Sequence, residues 1–197
     1  MLNKKYKDSN IILASKSPRR QNLLKELNLE FSIRTKEGIE EIYPKNVENK
    51  DVAEYLAELK ADAFKNDLKA NDILITADTV VILKDRVINK PANKEEAFEM
   101  LKSLSGNKHR VITGVCITSK EKKLSFSAFT DVYFRELKEE EINFYIEKYK
   151  PFDKAGAYGI QEWIGYIGIE KIEGSYFNVM GLPIQKLYDE LMLYLLF

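Results

Sequence analysis

The chain has 197 residues, of which 45% are hydrophobic and 31% are charged, a composition typical of a globular protein with one sizeable core. Its 31 lysines and arginines balance 31 aspartates and glutamates, which argues against bulk binding of nucleic acid but not against a local basic pocket. A single cysteine excludes an internal disulfide and a multi-cysteine zinc site, and no segment approaches the roughly 20 apolar residues that span a bilayer.

Apolar runs alternate with helical patterns along the first half of the chain. Asn10 opens a run typical of a buried strand, and Ser17 followed by Pro18 is typical of a capped helix start. The predicted elements of this half are a strand at 10–15, a helix at 18–28, a strand at 29–38, an acidic loop at 38–46, a helix at 51–67, a strand from 72 interrupted at 77–79, and a hairpin around 84–85. A β-α-β opening followed by hairpins predicts an α/β fold in which helices flank a mixed sheet.

The second half of the chain continues this pattern. Its predicted elements are a helix at 93–105 ended by Gly106, two long antiparallel strands within 109–137, a helix at 138–149, a glycine-spaced stretch of loop and strand at 153–183, and a core-packed helix from about 183. No repeat or linker-like segment divides the sequence, so we expect a single domain over 1–197. The polar N-terminus lacks a signal-peptide core, so we expect a cytoplasmic protein.

Two arginines stand where the first long helix is predicted to begin. A helix N-terminus carries partial positive charge, so Arg19 and Arg20 are disfavoured there by roughly 0.3–1 kcal/mol each. Free backbone N–H groups, the hydroxyls of Ser15 and Ser17, and two guanidinium groups would together bind an anion such as a triphosphate. The alternative is that Ser17 only caps the helix and the arginines are solvated.

Acidic residues supply the second set of candidates. Asp78 interrupts an apolar run, so it is either a metal ligand or general base, or a capping and turn-forming residue. Glu37, Glu40 and Glu41 form either a solvated charged loop or a ligand set for a hard cation. Because the chain has one histidine, a histidine-rich transition-metal site is excluded, and carboxylates near phosphates suggest Mg²⁺ or Mn²⁺.

The remaining candidates have simpler interpretations. Cys116 lies in an apolar run and is interpreted as a small core residue, and His109 is interpreted as a structural hydrogen-bonding residue. Lys90 and Lys154 are candidate phosphate contacts. The sequence lacks the phosphate-loop, dinucleotide-binding, zincin and nucleophile-elbow motifs, which excludes ATPase, dehydrogenase, zinc-protease and serine-hydrolase interpretations.

Six segments taken in order resemble the Maf family of nucleoside triphosphate pyrophosphatases. They are LASKSPRRQNLL, ADTVV, NKP, LSGNKHRVITGV, DKAGAYGIQ and GSYFNVMGLPI. The resemblance implies a mixed twisted sheet with flanking helices, similar to inosine triphosphatases, in which two lobes surround a deep cleft. It also implies a nucleoside triphosphate diphosphatase that cleaves between the α- and β-phosphates and uses a divalent metal.

The resemblance also assigns residues to the site. The substrate-binding residues that it implies are Ser15, Arg19, Arg20, Lys60, Thr79, Lys90 and Gln161. Asp78 matches the proton acceptor, and Glu41 with Asp78 would hold Mg²⁺ or Mn²⁺. Glu40 is the alternative to Glu41 because the alignment needs one extra residue, and the role of Asp78 as base or metal ligand stays open.

The segments around Gln161 resemble the branch of the family that acts on dTTP and UTP. A side-chain amide offers one donor and one acceptor group, so Gln161 can pair with the N3–H and a carbonyl of uracil or thymine. The alternatives are a pyrophosphatase for 7-methyl-GTP or another modified nucleotide, and a non-catalytic regulator of cell division. We expect no nucleic-acid or membrane partner, and a homodimer is an open alternative.

Overall fold

A computed structural model describes residues 1–194, which form helices around one mixed sheet. The elements are α1 (Leu2–Lys5), β1 (Asn10–Leu13), α2 (Pro18–Lys25), β2 (Ser32–Ile33), α3 (Val52–Asp62), β3 (Asp72–Leu83), β4 (Arg86–Ile88), α4 (Lys94–Leu104), β5 (Lys108–Thr118), β6 (Lys123–Phe134), α5 (Glu139–Tyr149), α6 (Trp163–Gly168), β7 (Ile169–Glu173), α7 (Tyr176–Met180) and α8 (Ile184–Tyr194). Short 3₁₀ turns lie at Lys65–Asp67 and Ala155–Ala157. The end of the predicted last helix, 195–197, lies outside the described residues.

The sheet has seven strands within residues 1–194, and its order confirms the predicted α/β class. The strands follow the order β2-β1-β3-β5-β6-β7, and β4 pairs with β3. β1 is parallel to both β2 and β3, whereas the β3–β4 and β6–β7 pairs are antiparallel. α2 connects the parallel strands β1 and β2, which is the β-α-β opening expected from the sequence.

The chain divides into two compact units, each with its own apolar core. The first unit contains 1–78, 113–128 and the described residues from Gly181 onward, and the second contains 79–112 and 129–180. Core residues of the first unit include Ile12, Ala57, Phe64, Leu74 and Cys116. Core residues of the second unit include Val81, Leu101, Val132, Ile142 and Tyr145. Cys116 is fully buried, as its interpretation as a core residue required.

The predicted interruption of β3 at 77–79 is wrong. β3 runs without a break through Asp78, whose carboxylate is buried but lies 2.5 Å from the ammonium nitrogen of Lys60. The partner offsets the cost of burying the charge, so the strand need not end there. The predicted hairpin is confirmed, because Lys84 and Asp85 both adopt the positive φ angles that a tight two-residue turn requires.

Other predicted boundaries shift because tertiary contacts override local preference. The second predicted strand shortens to β2, and the helix predicted from Pro18 ends at Lys25. The segment predicted as loop and strand contains two helices, α6 and α7, in addition to β7. Gly165 lowers the helix propensity of α6, but a Cβ there would lie 2.0 Å from the carbonyl oxygen of Ile160, so this packing requires glycine. α1, which buries Leu2, was not predicted from the sequence.

His109 is buried in the second unit among aromatic side chains. Its Nε2 atom lies 2.8 Å from the hydroxyl oxygen of Tyr158, and its ring meets those of Phe134 and Tyr158 edge-on. This placement agrees with the structural interpretation of the residue. Burial lowers the pKa of His109 to about 4, although the charge of Asp131 acts in the opposite direction.

The low pKa of His109 predicts a loss of stability in mild acid. Between its unfolded value of 6.5 and its folded value of about 4, the unfolded chain binds a proton that the folded chain does not. The free energy of unfolding should therefore fall by about 1.4 kcal/mol for each pH unit lost in this window. His109→Gln keeps a hydrogen-bonding side chain but does not titrate, so its stability should fall less. Chemical denaturation of both proteins would measure this, and parallel losses would contradict the prediction.

Candidate functional site

The start of α2 is fixed by local hydrogen bonds and by one arginine. The Ser17 hydroxyl accepts a hydrogen bond from the backbone N–H of Arg20, and the Ser15 hydroxyl accepts one from the N–H of Ser17. The Arg20 guanidinium donates to the carbonyl oxygens of Ala77 (2.8 Å) and Gly181 (2.7 Å). Arg20 therefore joins the helix N-terminus to β3 at the residue before Asp78.

Helix α3 places Lys60 beside Asp78. The Thr76 hydroxyl donates to the carbonyl oxygen of Ala57 at 2.6 Å, so this turn of α3 packs on β3. Lys60 lies three residues after Ala57 and Asp78 two residues after Thr76, so each lies on the same face of its element as the contact residue. A Cβ at Gly114 in β5 would lie 2.3 Å from the backbone of Ala53, so the close approach of α3 requires glycine there.

The Lys60 ammonium group is shared between two carboxylates. Its nitrogen lies 2.5 Å from Oδ1 of Asp78 and 3.1 Å from Oε1 of Glu41. Lys60 and Asp78 are largely buried, whereas the Glu41 side chain is 42% exposed. Of the two glutamates left open by the sequence, Glu41 is the one that joins this cluster, and Glu40 is exposed. Glu37 pairs instead with Lys16 in an exposed contact.

The first unit therefore brings together cations and carboxylates that the sequence placed far apart. Burial lowers the pKa of the Arg20 guanidinium; the charge of Arg19 acts in the same direction, and the charges of Asp78 and Glu41 oppose it. A triphosphate would add negative charge next to the arginines and Lys60, which favours binding of a polyanion in this group. We name Ser15, Arg19, Arg20, Glu41, Lys60 and Asp78 the charged cluster.

The anchoring bonds of Arg20 predict a structural contribution besides any contact with substrate. Arg20→Ala removes a charged donor from two buried carbonyl groups, so the free energy of unfolding should fall by about 2 kcal/mol. Arg19→Ala is the matched comparison, and we expect it to lower turnover with a smaller loss of Tm. Thermal and chemical denaturation of both variants would measure the difference. Equal losses of stability would contradict the anchoring role of Arg20.

Three predicted site residues belong to the second unit. Thr79 follows Asp78 in β3, and because side chains alternate along a strand it points to the opposite face of the sheet. Lys90 is exposed in the loop after β4. Gln161 lies just before α6, and its amide oxygen Oε1 is buried and accepts no hydrogen bond within residues 1–194. A buried acceptor of this kind is suited to a ligand that supplies an N–H group.

The residues around Gln161 form a partly buried polar network that was not predicted from the sequence. The Lys154 ammonium lies 2.7 Å from the Asp153 carboxylate and 3.2 Å from the Glu162 carboxylate. The Tyr145 hydroxyl donates to Glu162 and accepts a hydrogen bond from the N–H of Gly159. Glu162 comes directly after the motif that contains Gln161, and Tyr145 lies on the apolar face of α5. Neither residue was therefore predicted to belong to a polar site.

The carboxylates of the charged cluster fit a hard divalent cation only in part. No group of three or more His, Cys, Asp or Glu side chains within residues 1–194 is arranged to hold a metal ion. Glu41 and Asp78 nevertheless direct oxygens at one ammonium group, so they can converge on a cation. Mg²⁺ is often held by one or two carboxylates plus substrate phosphates, so this pair fits a metal that arrives with its substrate.

Known proteins match nearly the whole chain. A family model described as Maf-like protein matches residues 10–193. A dTTP/UTP pyrophosphatase of Parabacteroides distasonis is 55% identical over 188 residues, which cover 95% of this chain and 96% of that relative. A dTTP/UTP pyrophosphatase of Bacteroides thetaiotaomicron is 52% identical over 181 residues, which cover 92% of this chain and 94% of the relative. The solved structure of a HAM1 protein from Coxiella burnetii is 13% identical in sequence, and the match covers 64% of this chain and 73% of that chain with a TM-score of 0.40. No helix within residues 1–194 has the length and apolar character needed to cross a bilayer.

Proposed function

The chain belongs to the Maf family, and we propose that it hydrolyses dTTP and UTP to the monophosphate and pyrophosphate. The observation that carries this proposal is the charged cluster, in which Lys60 lies between Glu41 and Asp78 beside the Arg20 anchor. Cleavage of a phosphoanhydride depends on positioning and on charge stabilisation more than on covalent chemistry. The cluster supplies cations for the phosphates and a carboxylate for water.

The arginines and Lys60 have the roles that the phosphates require. Arg19 and Arg20, with Ser15, would bind phosphate oxygens at the start of α2, where backbone N–H groups favour anions. Lys60 would stabilise the charge that develops on the pyrophosphate leaving group. Lys90 is proposed as a further phosphate contact.

Asp78 is the proposed acceptor of the proton from the attacking water. It is the most buried carboxylate of the charged cluster, and β3 fixes its backbone on both sides. A carboxylate held in this way can orient a water molecule and accept its proton as the phosphoanhydride bond breaks. The contact with Lys60 restrains the side chain in one position.

Gln161 is the residue proposed to recognise the base. Its buried Oε1 needs a donor, and the N3–H of uracil or thymine supplies one. Its amide N–H can donate to a neighbouring carbonyl of the same base. Cytosine lacks the N3–H, so CTP would leave the buried acceptor without this bond. Thr79, together with Arg19, is proposed to contribute to selectivity.

We further propose that Glu41 and Asp78 hold Mg²⁺ or Mn²⁺ together with the substrate. The ion would neutralise phosphate charge and act as a Lewis acid on phosphate oxygens. Arg19, Arg20 and Lys60 would bind the oxygens that remain.

Removal of divalent metal should abolish hydrolysis of UTP. The enzyme would be stripped with chelator and dialysed, and activity should return with Mg²⁺ or Mn²⁺ but not with buffer that lacks divalent metal. Glu41→Gln should weaken the response to added metal, since an amide binds a hard cation more weakly than a carboxylate. Full activity of the stripped enzyme in excess chelator would contradict the metal proposal.

Release of pyrophosphate across a panel of nucleotides tests the proposed function. The panel contains UTP, dTTP, CTP, GTP, inosine triphosphate and 7-methyl-GTP, and the products are separated to distinguish pyrophosphate from orthophosphate. UTP and dTTP should be the best substrates and should yield monophosphate. A preference for 7-methyl-GTP would replace the proposed substrate, and no hydrolysis would favour the regulatory alternative.

The proposed setting of this reaction is the nucleotide pool of the cytoplasm. Since UTP and dTTP are also normal metabolites, selective action on modified uridine nucleotides would be compatible with such a role. The homodimer stays a prediction, and light scattering of the purified protein would test it.

A further inference from the structure

We propose that Glu162, held by Lys154 and Tyr145, is a positioning residue that fixes Gln161 for recognition of the base. This inference rests on the proposed function, in which Gln161 reads uracil or thymine. It adds three residues that do not themselves need to touch the nucleotide. The carboxylate of Glu162 is the point at which their contacts meet.

Both neighbours of Gln161 are held in place within the second unit. Ile160 is buried in the apolar core of that unit. The backbone N–H of Glu162 donates to the carbonyl oxygen of Gly159 at 3.0 Å, which closes a turn around Gln161. The Tyr166 hydroxyl donates to the carbonyl oxygen of Gln161 itself at 2.7 Å. The backbone of Gln161 is therefore restrained from both sides.

The side chain of Glu162 connects this turn to α5 and to the preceding loop. One carboxylate oxygen accepts a hydrogen bond from Tyr145, and the other lies 3.2 Å from the ammonium nitrogen of Lys154. The Tyr145 hydroxyl also accepts a hydrogen bond from the N–H of Gly159, so Tyr145 is hydrogen-bonded to both the first and the last residue of the turn. A Cβ at Gly159 would lie 2.7 Å from the Glu162 carboxyl carbon, so the turn and the carboxylate are tightly packed.

Burial makes this arrangement sensitive to loss of one member. Lys154 is only 8% exposed, and its buried ammonium group is stabilised by the two carboxylates of Asp153 and Glu162. Loss of the Glu162 charge would leave Lys154 paired with the more exposed carboxylate of Asp153 and would remove the ionic contact that ties the Gln161 turn to Lys154. Because hydrogen bonds weaken steeply with distance and angle, a small shift of Gln161 would impair its contact with the base.

Two variants test the positioning role, and a third serves as a matched control. Tyr145→Phe removes one hydroxyl, and Glu162→Gln removes one charge while keeping the shape of the side chain. In both, the ratio of kcat/KM for UTP to that for CTP should fall by about 10- to 100-fold, as expected for a slight misplacement of a binding group. Inhibition by pyrophosphate should stay unchanged, because the charged cluster is not altered. Tyr133→Phe breaks a tyrosine–glutamate hydrogen bond elsewhere in the second unit and should leave the ratio unchanged.

The outcomes separate this inference from the proposed function. A lower Tm in Tyr145→Phe and Glu162→Gln with an unchanged UTP-to-CTP ratio would overturn the positioning role and leave the proposed function intact. A wild-type protein that does not prefer UTP and dTTP would overturn the proposed function, and the inference with it. If Glu162→Gln does not fold, Tyr145→Phe alone decides the question, since it removes a single oxygen atom.

Discussion

Asp78→Asn is expected to lower the turnover of UTP by at least about 100-fold, the low end for loss of a positioned general base. Asparagine has nearly the same shape but cannot accept the proton of the attacking water. It would also bind a hard cation less well. Stability should change little, because Lys60 keeps its contact with Glu41 when the Asp78 charge is removed. Steady-state kinetics and Tm of the purified variant measure both effects.

Asp72→Asn is the matched control, since it makes the same substitution in the same strand. Asp72 is buried and accepts hydrogen bonds from Asn10 and Arg34. Burial acts to raise the pKa of Asp72, but hydrogen bonds from Asn10, Lys69 and Arg34 hold it below the usual value. We therefore expect Asp72→Asn to lower stability while the folded protein keeps its turnover. Near-normal turnover in Asp78→Asn would contradict the catalytic role and favour a structural one.

Features set by neighbours in sequence were predictable, and the start of α2 is an example. A serine followed by a proline predicts a helix N-cap from neighbouring residues alone. The Ser17 hydroxyl does accept a hydrogen bond from the backbone N–H of Arg20. The turn at Lys84–Asp85 is similarly local. The class of the sheet also followed, because alternation of strands and helices near the N-terminus restricts the topology.

Features that depend on contact between distant segments were not predictable from pattern alone. A carboxylate within an apolar run suggested a break in β3, because the sequence does not show that Lys60 on α3 would supply the opposite charge. The resemblance placed both residues in one site but did not indicate their direct contact. Arg20 was expected to bind phosphate, and its bonds to two backbone carbonyl groups were not anticipated.

The network around Gln161 shows why glycine-rich segments are difficult to interpret. Glycine spacing at 153–183 predicted loop and strand, whereas α6 forms there because its glycines permit close packing. Lys154 was predicted only as a candidate phosphate contact, and its ion pair with Glu162 was not anticipated. Gln161 was therefore predicted as a site residue, whereas the contacts of Glu162, Lys154 and Tyr145 that position it were not.

Replacement of Gln161 should remove most of the discrimination between bases. In the wild-type protein, kcat/KM for UTP and dTTP should exceed that for CTP by at least about 100-fold, because CTP leaves buried polar groups unpaired. Gln161→Ala removes both hydrogen-bonding groups and should lower the UTP-to-CTP ratio more than it weakens inhibition by pyrophosphate. Ribose versus deoxyribose should matter less, since the proposed contacts are to the base. Measurement of kcat/KM for UTP, dTTP, CTP and GTP provides these ratios.

Gln161→Glu gives the sharper test, because it keeps the acceptor and removes the donor. A carboxylate can accept the N3–H of uracil but cannot donate to a carbonyl, whereas it can accept from the amino group of cytosine. The variant should therefore shift the ratio toward CTP beyond the shift caused by alanine. Gln185→Ala, which removes an exposed glutamine on α8 that donates to Asp189, controls for loss of a glutamine outside the site. Equal efficiencies for UTP and CTP in the wild type, or an unchanged ratio in both Gln161 variants, would show that this residue does not set specificity.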